Sequence, residues 1–169
     1  MVDSVIRVAV VGPESSGKST LAAALAERIA GACLVTEYAR NFLSTRPKYS
    51  YGDLVKIAKG QLELEKKAGT GYGVRILDTD MLTIFIWSRF VFGRVDAEIN
   101  RMFLNTLPDL YLLCRPDIPW EYDPLREHPH QRDEIFDLNL QLIKRTGVQY
   151  VILEGDFDSR LNKALASFI

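Results

Sequence analysis

The chain has 169 residues, 47% of them hydrophobic, which suits one domain with a substantial core. Its 21 Lys and Arg nearly balance 22 Asp and Glu, so no global field favours a nucleic-acid backbone. Charges at Asp3 and Arg7 break the apolar start, which argues against a signal peptide, and the longest apolar stretch, Met81 to Phe92, is too short to span a bilayer.

In chain order, a strand at about Val5 to Val11 comes first. It feeds Gly12-Pro13-Glu14-Ser15-Ser16-Gly17-Lys18-Ser19, a G-x-x-x-x-G-K-S run, and an alanine- and leucine-rich helix follows. That is a phosphate-binding loop in its strand–loop–helix setting. Gly12 and Gly17 let the backbone curl so that successive N–H groups point at phosphates. The helix begun by Lys18-Ser19-Thr20 adds the positive end of its dipole. Lys18 can reach the β- and γ-phosphates, and the Ser19 hydroxyl can take a Mg²⁺ coordination place. Glu14, Ser15, Ser16 and Thr20 complete the expected nucleotide cradle.

Leu21, Leu25 and Ile29 share one face of this first helix, which Gly31 stops. Ala32 to Thr36 reads as a second strand ending at Glu37. A short helix from Glu37 through Leu43 and a loop around Pro47 come next. A helix at about Tyr51 to Ala68 buries Leu54, Ile57, Ala58 and Leu62. Gly69-Thr70-Gly71-Tyr72-Gly73 is turn chemistry. Val74 to Leu77 makes a third strand, ending in Asp78-Thr79-Asp80. Met81 to Phe92, apolar nearly all round, reads as a buried helix, and Val95 to Asn105 as a shorter one. Leu110 to Cys114 is a fourth strand. Arg115 to Pro129 is an irregular loop holding four of the seven prolines. An amphipathic helix at Gln131 to Thr146, a fifth strand at Tyr150 to Leu153 and a closing helix at Asp156 to Phe168 finish the chain. Cys33 and Cys114 lie in strand-like apolar runs and read as buried small hydrophobes.

Apolar strands separated by helices predict an α/β fold, a five-stranded parallel sheet with helices on both faces, and likeness to P-loop kinases implies the kinase-type order 2-3-1-4-5. The whole of 1–169 reads as a single domain with a lid at about 115–130, and a cytoplasmic protein is expected. In such sheets ligands gather beyond the carboxyl ends of the strands. Asp78 stands where a carboxylate holds Mg²⁺, directly or through water, with the alternative that it caps the next helix. Asp80 would then face the acceptor. Glu37 can accept or orient the acceptor's hydroxyl proton, and Arg40 lies one helical turn on. In the lid, Arg126 and, after it, Arg132 can neutralise charge on a transferred phosphoryl group. Trp120 and Tyr122 can stack on a flat ring. Arg160, beyond the fifth strand, is a candidate purine neighbour. His128 and His130 read as lid residues rather than metal ligands.

On four stretches the chain resembles the ribosylnicotinamide kinase domain of the NadR type over essentially its whole length. They are Gly12 to Ser19, Glu37-Tyr38-Ala39-Arg40-Asn41-Phe42, Leu77-Asp78-Thr79-Asp80 and Trp120-Glu121-Tyr122-Asp123-Pro124-Leu125-Arg126. The resemblance implies ATP- and Mg²⁺-dependent phosphorylation of the ribose 5′-hydroxyl of nicotinamide riboside, giving nicotinamide mononucleotide for NAD synthesis. It makes Lys18, Glu37, Asp78 and Arg126 the expected catalytic group and places the metal on Ser19 and Asp78. Glu37, Tyr38, Arg40 and Asp80 become ribose-side candidates, and Trp120 a partner for the nicotinamide ring. Pro124 departs from the family, which tends to carry glycine there. The family's adenylyltransferase domain and DNA-binding module are not expected here, so the next step of NAD synthesis would fall to another protein.

Two other readings stay open. One is a deoxynucleoside or nucleotide kinase on the same fold, since fold alone does not fix substrate. The other is a nucleotide-dependent switch or interaction module. Against the switch, the chain has no D-x-x-G motif, and Asn162-Lys163-Ala164-Leu165 fails as a guanine reader at its last position. The expected partner is a small molecule, with neither nucleic acid nor membrane.

Overall fold

The computed structural model describes residues 5–46, 48–68, 71 and 73–168. Pro47 and the Gly69, Thr70 and Tyr72 part of the expected turn lie outside the described residues, as do residues 1–4 and 169.

Five strands, β1 (Ile6–Val11), β2 (Ala32–Val35), β3 (Val74–Asp78), β4 (Leu110–Cys114) and β5 (Gln149–Leu153), form one parallel sheet in the order β2-β3-β1-β4-β5. The period-two alternation of β1 explains the layering, because successive side chains leave opposite faces of a strand. Val8 and Val10 enter a core with Leu21 and Leu25 of α1 (Lys18–Arg28) and Leu161 and Ala164 of α7 (Phe157–Ala166). Ala9 and Val11 enter the larger core on the other face. It is covered by α3 (Tyr51–Lys67), α4 (Met81–Phe92), α5 (Ala97–Asn105) and α6 (Arg132–Thr146). The short α2 (Tyr38–Ser44) packs on α3. Observed element ends differ from the sequence reading by one or two residues.

Side-chain caps fix where several helices start. Asp96 accepts from Glu98 N at 2.8 Å ahead of α5, and Asp156 accepts from Ser159 N at 2.8 Å ahead of α7. Asp80 does the same for α4, accepting from Leu82 N at 3.1 Å. Each cap supplies an acceptor for a backbone N–H that the first turn cannot satisfy.

With β1 central and β3 and β4 beside it, the carboxyl ends of three strands converge. The segments leaving β1, β2, β3 and β4 meet there, and the chain from 115 to 131 crosses above them without regular structure.

A candidate phosphoryl-transfer site at the strand ends

Gly12 leaves β1 at φ +138°, and a Cβ there would sit 2.6 Å from the Cys114 carbonyl oxygen. Only glycine fits that turn so close to β4. Gly17, at φ +80°, is the N-cap of α1. Between them Ser16 Oγ donates to Pro13 O at 2.7 Å, and Lys18 Nζ folds back to the same carbonyl at 2.5 Å. Burial lowers the pKa of Lys18, opposed by Cys114, Glu37, Asp78 and Glu14 nearby.

One cavity of about 330 Å³ lies over this loop. The whole of Gly12 to Thr20 forms its floor, Glu37 and Arg40 one side, and Glu121 to His128 its cover. Glu37 leads into α2, and burial raises its pKa while the Lys18 charge opposes the shift. Arg40 Nε is 3.8 Å from Glu37, and its Nη1 donates to Asp123 in the lid at 2.8 Å. Asp78, 6% exposed, sits at the end of β3 beside the Ser19 hydroxyl. Its Oδ1 has no hydrogen-bond partner among the described residues. Burial raises its pKa too, against Ser19 and Lys18.

A hydroxyl and a buried carboxylate with an unused oxygen, at a phosphate cradle, fit Mg²⁺, which takes few protein ligands and completes its shell with phosphate and water. Among the described residues no group of three or more His, Cys, Asp or Glu could hold a metal by itself.

The lid is fastened to the loop beneath it. Glu14 Oε2 accepts from the backbone N–H groups of Glu127 and His128, both at 3.0 Å. Ser15 Oγ accepts from Glu121 N at 2.9 Å and from Arg126 Nη1 at 3.4 Å. Arg132 Nη1 donates to Ser15 O at 3.1 Å. These bonds hold Arg126 over the loop, its Nη1 also donating to Glu121 O at 2.5 Å.

Six expected site residues are not part of the cavity wall: Asp78 lies beside Ser19, Arg132 is turned onto Ser15 O and Ile118 O, and the other four stand elsewhere. Asp80, 4% exposed, is the N-cap of α4 and is not part of the cavity wall. The capping role considered for Asp78 thus belongs to its neighbour. Tyr38 turns away and presses its ring onto Gly60 of α3. Trp120 lies under the guanidinium of Arg132, 5.7 Å from its ring centroid, outside the wall. Arg160 is 4% exposed; it donates to Gly155 O and Ser16 O at 2.8 Å and Arg115 O at 3.1 Å, and it pairs with Asp117. It braces the loop from behind, and those contacts use up its guanidinium.

Other residues take the places left open. Trp87 and Phe90 of α4 and Tyr49 line the acceptor end, with Trp87 Nε1 donating to Tyr49 Oη at 2.9 Å. Tyr49 in turn donates to Glu127 in the lid at 2.7 Å. Thr79 lines the cavity at φ +81°, unusual for a β-branched residue and a mark of local strain. The helical spacing of Thr83, Trp87 and Phe90 was a usable signal, because positions three and four apart share a face.

A family model described as an AAA domain matches residues 7–160. No curated protein sequence matches the chain. Among solved structures, a NadR protein in complex with NR superposes with a TM-score of 0.81 at 22% identity, covering 97% of this chain and 50% of that one. A NadR protein in complex with NAD and AMP-PNP gives 0.78 at 20%, covering 96% and 49%. Thymidylate kinase from Ehrlichia chaffeensis gives 0.71 at 14%, covering 98% and 99%. The chain therefore spans about half the length of the NadR proteins it resembles and shares their fold.

Proposed function

The chain belongs to the AAA domain family, and on that footing we propose that it is an ATP- and Mg²⁺-dependent kinase that phosphorylates the ribose 5′-hydroxyl of nicotinamide riboside. The observation that carries this reading is the cavity in which a phosphate cradle, the Glu37 carboxylate and an aromatic recess meet under an arginine-bearing cover. A switch protein has no use for the recess. NadR relatives bound to NR and to AMP-PNP, an ATP analogue, support nicotinamide riboside as acceptor.

Each residue has a task in that reaction. The loop amides and Lys18 hold the β- and γ-phosphates. Glu37 takes the proton of the 5′-hydroxyl as its oxygen bonds to the γ-phosphorus. The bond from that phosphorus to the bridging oxygen breaks, and ADP leaves. Arg126 offsets charge on the equatorial oxygens, and the lid excludes water that would otherwise hydrolyse ATP. Ser19 and Asp78 would hold Mg²⁺, which neutralises charge on the β- and γ-phosphate oxygens when bound. Trp87 and Phe90 supply the faces for the pyridinium ring, whose positive charge favours a π surface.

The second reading is a nucleoside or nucleotide kinase, favoured by the thymidylate kinase likeness over nearly both whole chains. ADP release from purified protein with nicotinamide riboside, thymidine, deoxycytidine and nucleoside monophosphates separates the two. Nicotinamide riboside is expected to give the highest kcat/KM. A deoxynucleoside ahead of it moves the protein to the second reading, and no stimulation by any acceptor overturns both.

A further inference from the structure

The acceptor end of the cavity is largely apolar; Tyr49 Oη is spent on Glu127, His128 packs edge-on against Phe90 with its Nε2 lacking a hydrogen-bond partner among the described residues, and two further polar groups stand on the helices. Leu43, Trp87, Phe90 and Ile135 form hydrophobic wall, while Thr83 of α4 and Asn139 of α6 break it. Asn139 is 2% exposed. Its Nδ2 donates to Ile135 O one turn back at 2.8 Å, which turns the amide so that Oδ1 is the atom left over. Neither Asn139 Oδ1 nor Thr83 Oγ1 has a hydrogen-bond partner among the described residues, and both atoms are buried. Unsatisfied polar atoms in an apolar recess are costly, and a ligand that satisfies them recovers that cost.

The chemistry of the pair is directional. Asn139 Oδ1 only accepts, whereas the Thr83 hydroxyl can donate as well as accept. We infer that Asn139 and Thr83 select an acceptor whose ring carries an –NH₂ donor beside a hydrogen-bond acceptor, the edge of a primary carboxamide or an aminopyrimidine. This deepens the kinase reading and rests on it. An –NH₂ satisfies Asn139 Oδ1, and the neighbouring carbonyl or ring nitrogen takes the Thr83 proton. A carboxylate or second carbonyl in place of the –NH₂ sets oxygen against oxygen in a dry site, the arrangement that discriminates most strongly in pockets of this kind.

The test uses the full chain and two substrate pairs that differ at this edge: nicotinamide riboside against nicotinic acid riboside, and deoxycytidine against deoxyuridine. Within whichever pair is turned over, kcat/KM for the –NH₂ member is expected to exceed that of its partner by about tenfold or more. Thr83→Val and Asn139→Leu are each expected to collapse that ratio to within about threefold, through KM of the acceptor, with KM for ATP unchanged. If Asn139→Leu does not fold, the Thr83→Val ratio decides alone. A wild-type ratio near one, or a ratio that survives in the folded variants, overturns the inference and leaves the kinase reading standing. Absence of transfer to all four overturns it too; whether the kinase reading falls as well is then decided by the wider acceptor panel.

Discussion

Arg40 bonds the lid through Asp123, Nη1 to Oδ2 at 2.8 Å, while holding Nε 3.8 Å from Glu37. One guanidinium thus spans the cover and the Glu37 carboxylate, the group proposed to meet the acceptor. Exposed pairs add only about 0.2–1 kcal/mol to stability, so Asp123→Asn should leave Tm nearly unchanged. KM for the acceptor should rise several-fold as the cover loosens. Unaltered KM would show that the pair is incidental.

Lys18 is the loop's own cation, turned onto Pro13 O. Lys18→Ala is expected to lower kcat by at least about a hundredfold, as loss of a charge-stabilising donor does elsewhere. Steady-state rates with saturating ATP check this, and a loss under tenfold would remove Lys18 from the reaction.

Glu37 must be ionised to take a proton, and burial lifts its pKa above the ordinary glutamate value. The rate should therefore fall as pH drops through a pKa higher than that of a free glutamate. Glu37→Gln should lower kcat without weakening ATP binding and should flatten that acid limb. An unchanged acid limb in the variant would assign it to another group.

Asp80 gives a stability prediction with a defined sign. Burial raises its pKa to about 6 from 3.8, against the opposing influence of Tyr111, the Arg7 charge and the Leu82 and Thr83 amides. Between those values the folded chain holds a proton that the unfolded chain has lost, so folding weakens as pH rises and bears the full cost above about 6. About two units correspond to about 3 kcal/mol. Asn caps a helix as well as Asp does, so Asp80→Asn should raise Tm at neutral pH, with the gain vanishing near pH 4. Melting curves at both pH values test it, and a gain of equal size at each refutes the linkage.

Gly60 lies mid-helix, where alanine ordinarily adds up to about 1 kcal/mol. Here a Cβ would fall inside the Tyr38 ring, and the displaced ring costs about 1–3 kcal/mol. Gly60→Ala should therefore lower Tm, and the double variant Gly60→Ala, Tyr38→Ala should recover part of the loss. An increase in Tm for the single variant would show that the ring moves freely.

The sequence carried the frame because strands and helices announce themselves locally: apolar runs, Asp caps and the Gly12–Ser19 spacing all act within a few residues. The order β2-β3-β1-β4-β5 matches the one expected of a kinase-type fold with this phosphate-binding loop, and no local pattern carried it. Side-chain direction was harder to read. Asp78 and Asp80 look alike in sequence, yet one lies beside Ser19 and the other satisfies Leu82 N. Arg160 had the composition of a ligand contact, and its binding to Ser16 O depends on how α7 returns to β1, a long-range fact. Trp87 sits in a helix apolar on every side, so the face it shares with Thr83 and Phe90 was legible, while its bordering a cavity was not.

The lid's principal bonds to the loop fall on Glu14 and Ser15, two of the four positions that the G-x-x-x-x-G-K-S pattern leaves unspecified. Grip and closure therefore occupy separate letters of one short word. A designer could retune how firmly the roof shuts by rewriting those two letters, while Gly12, Gly17, Lys18 and Ser19 keep their places.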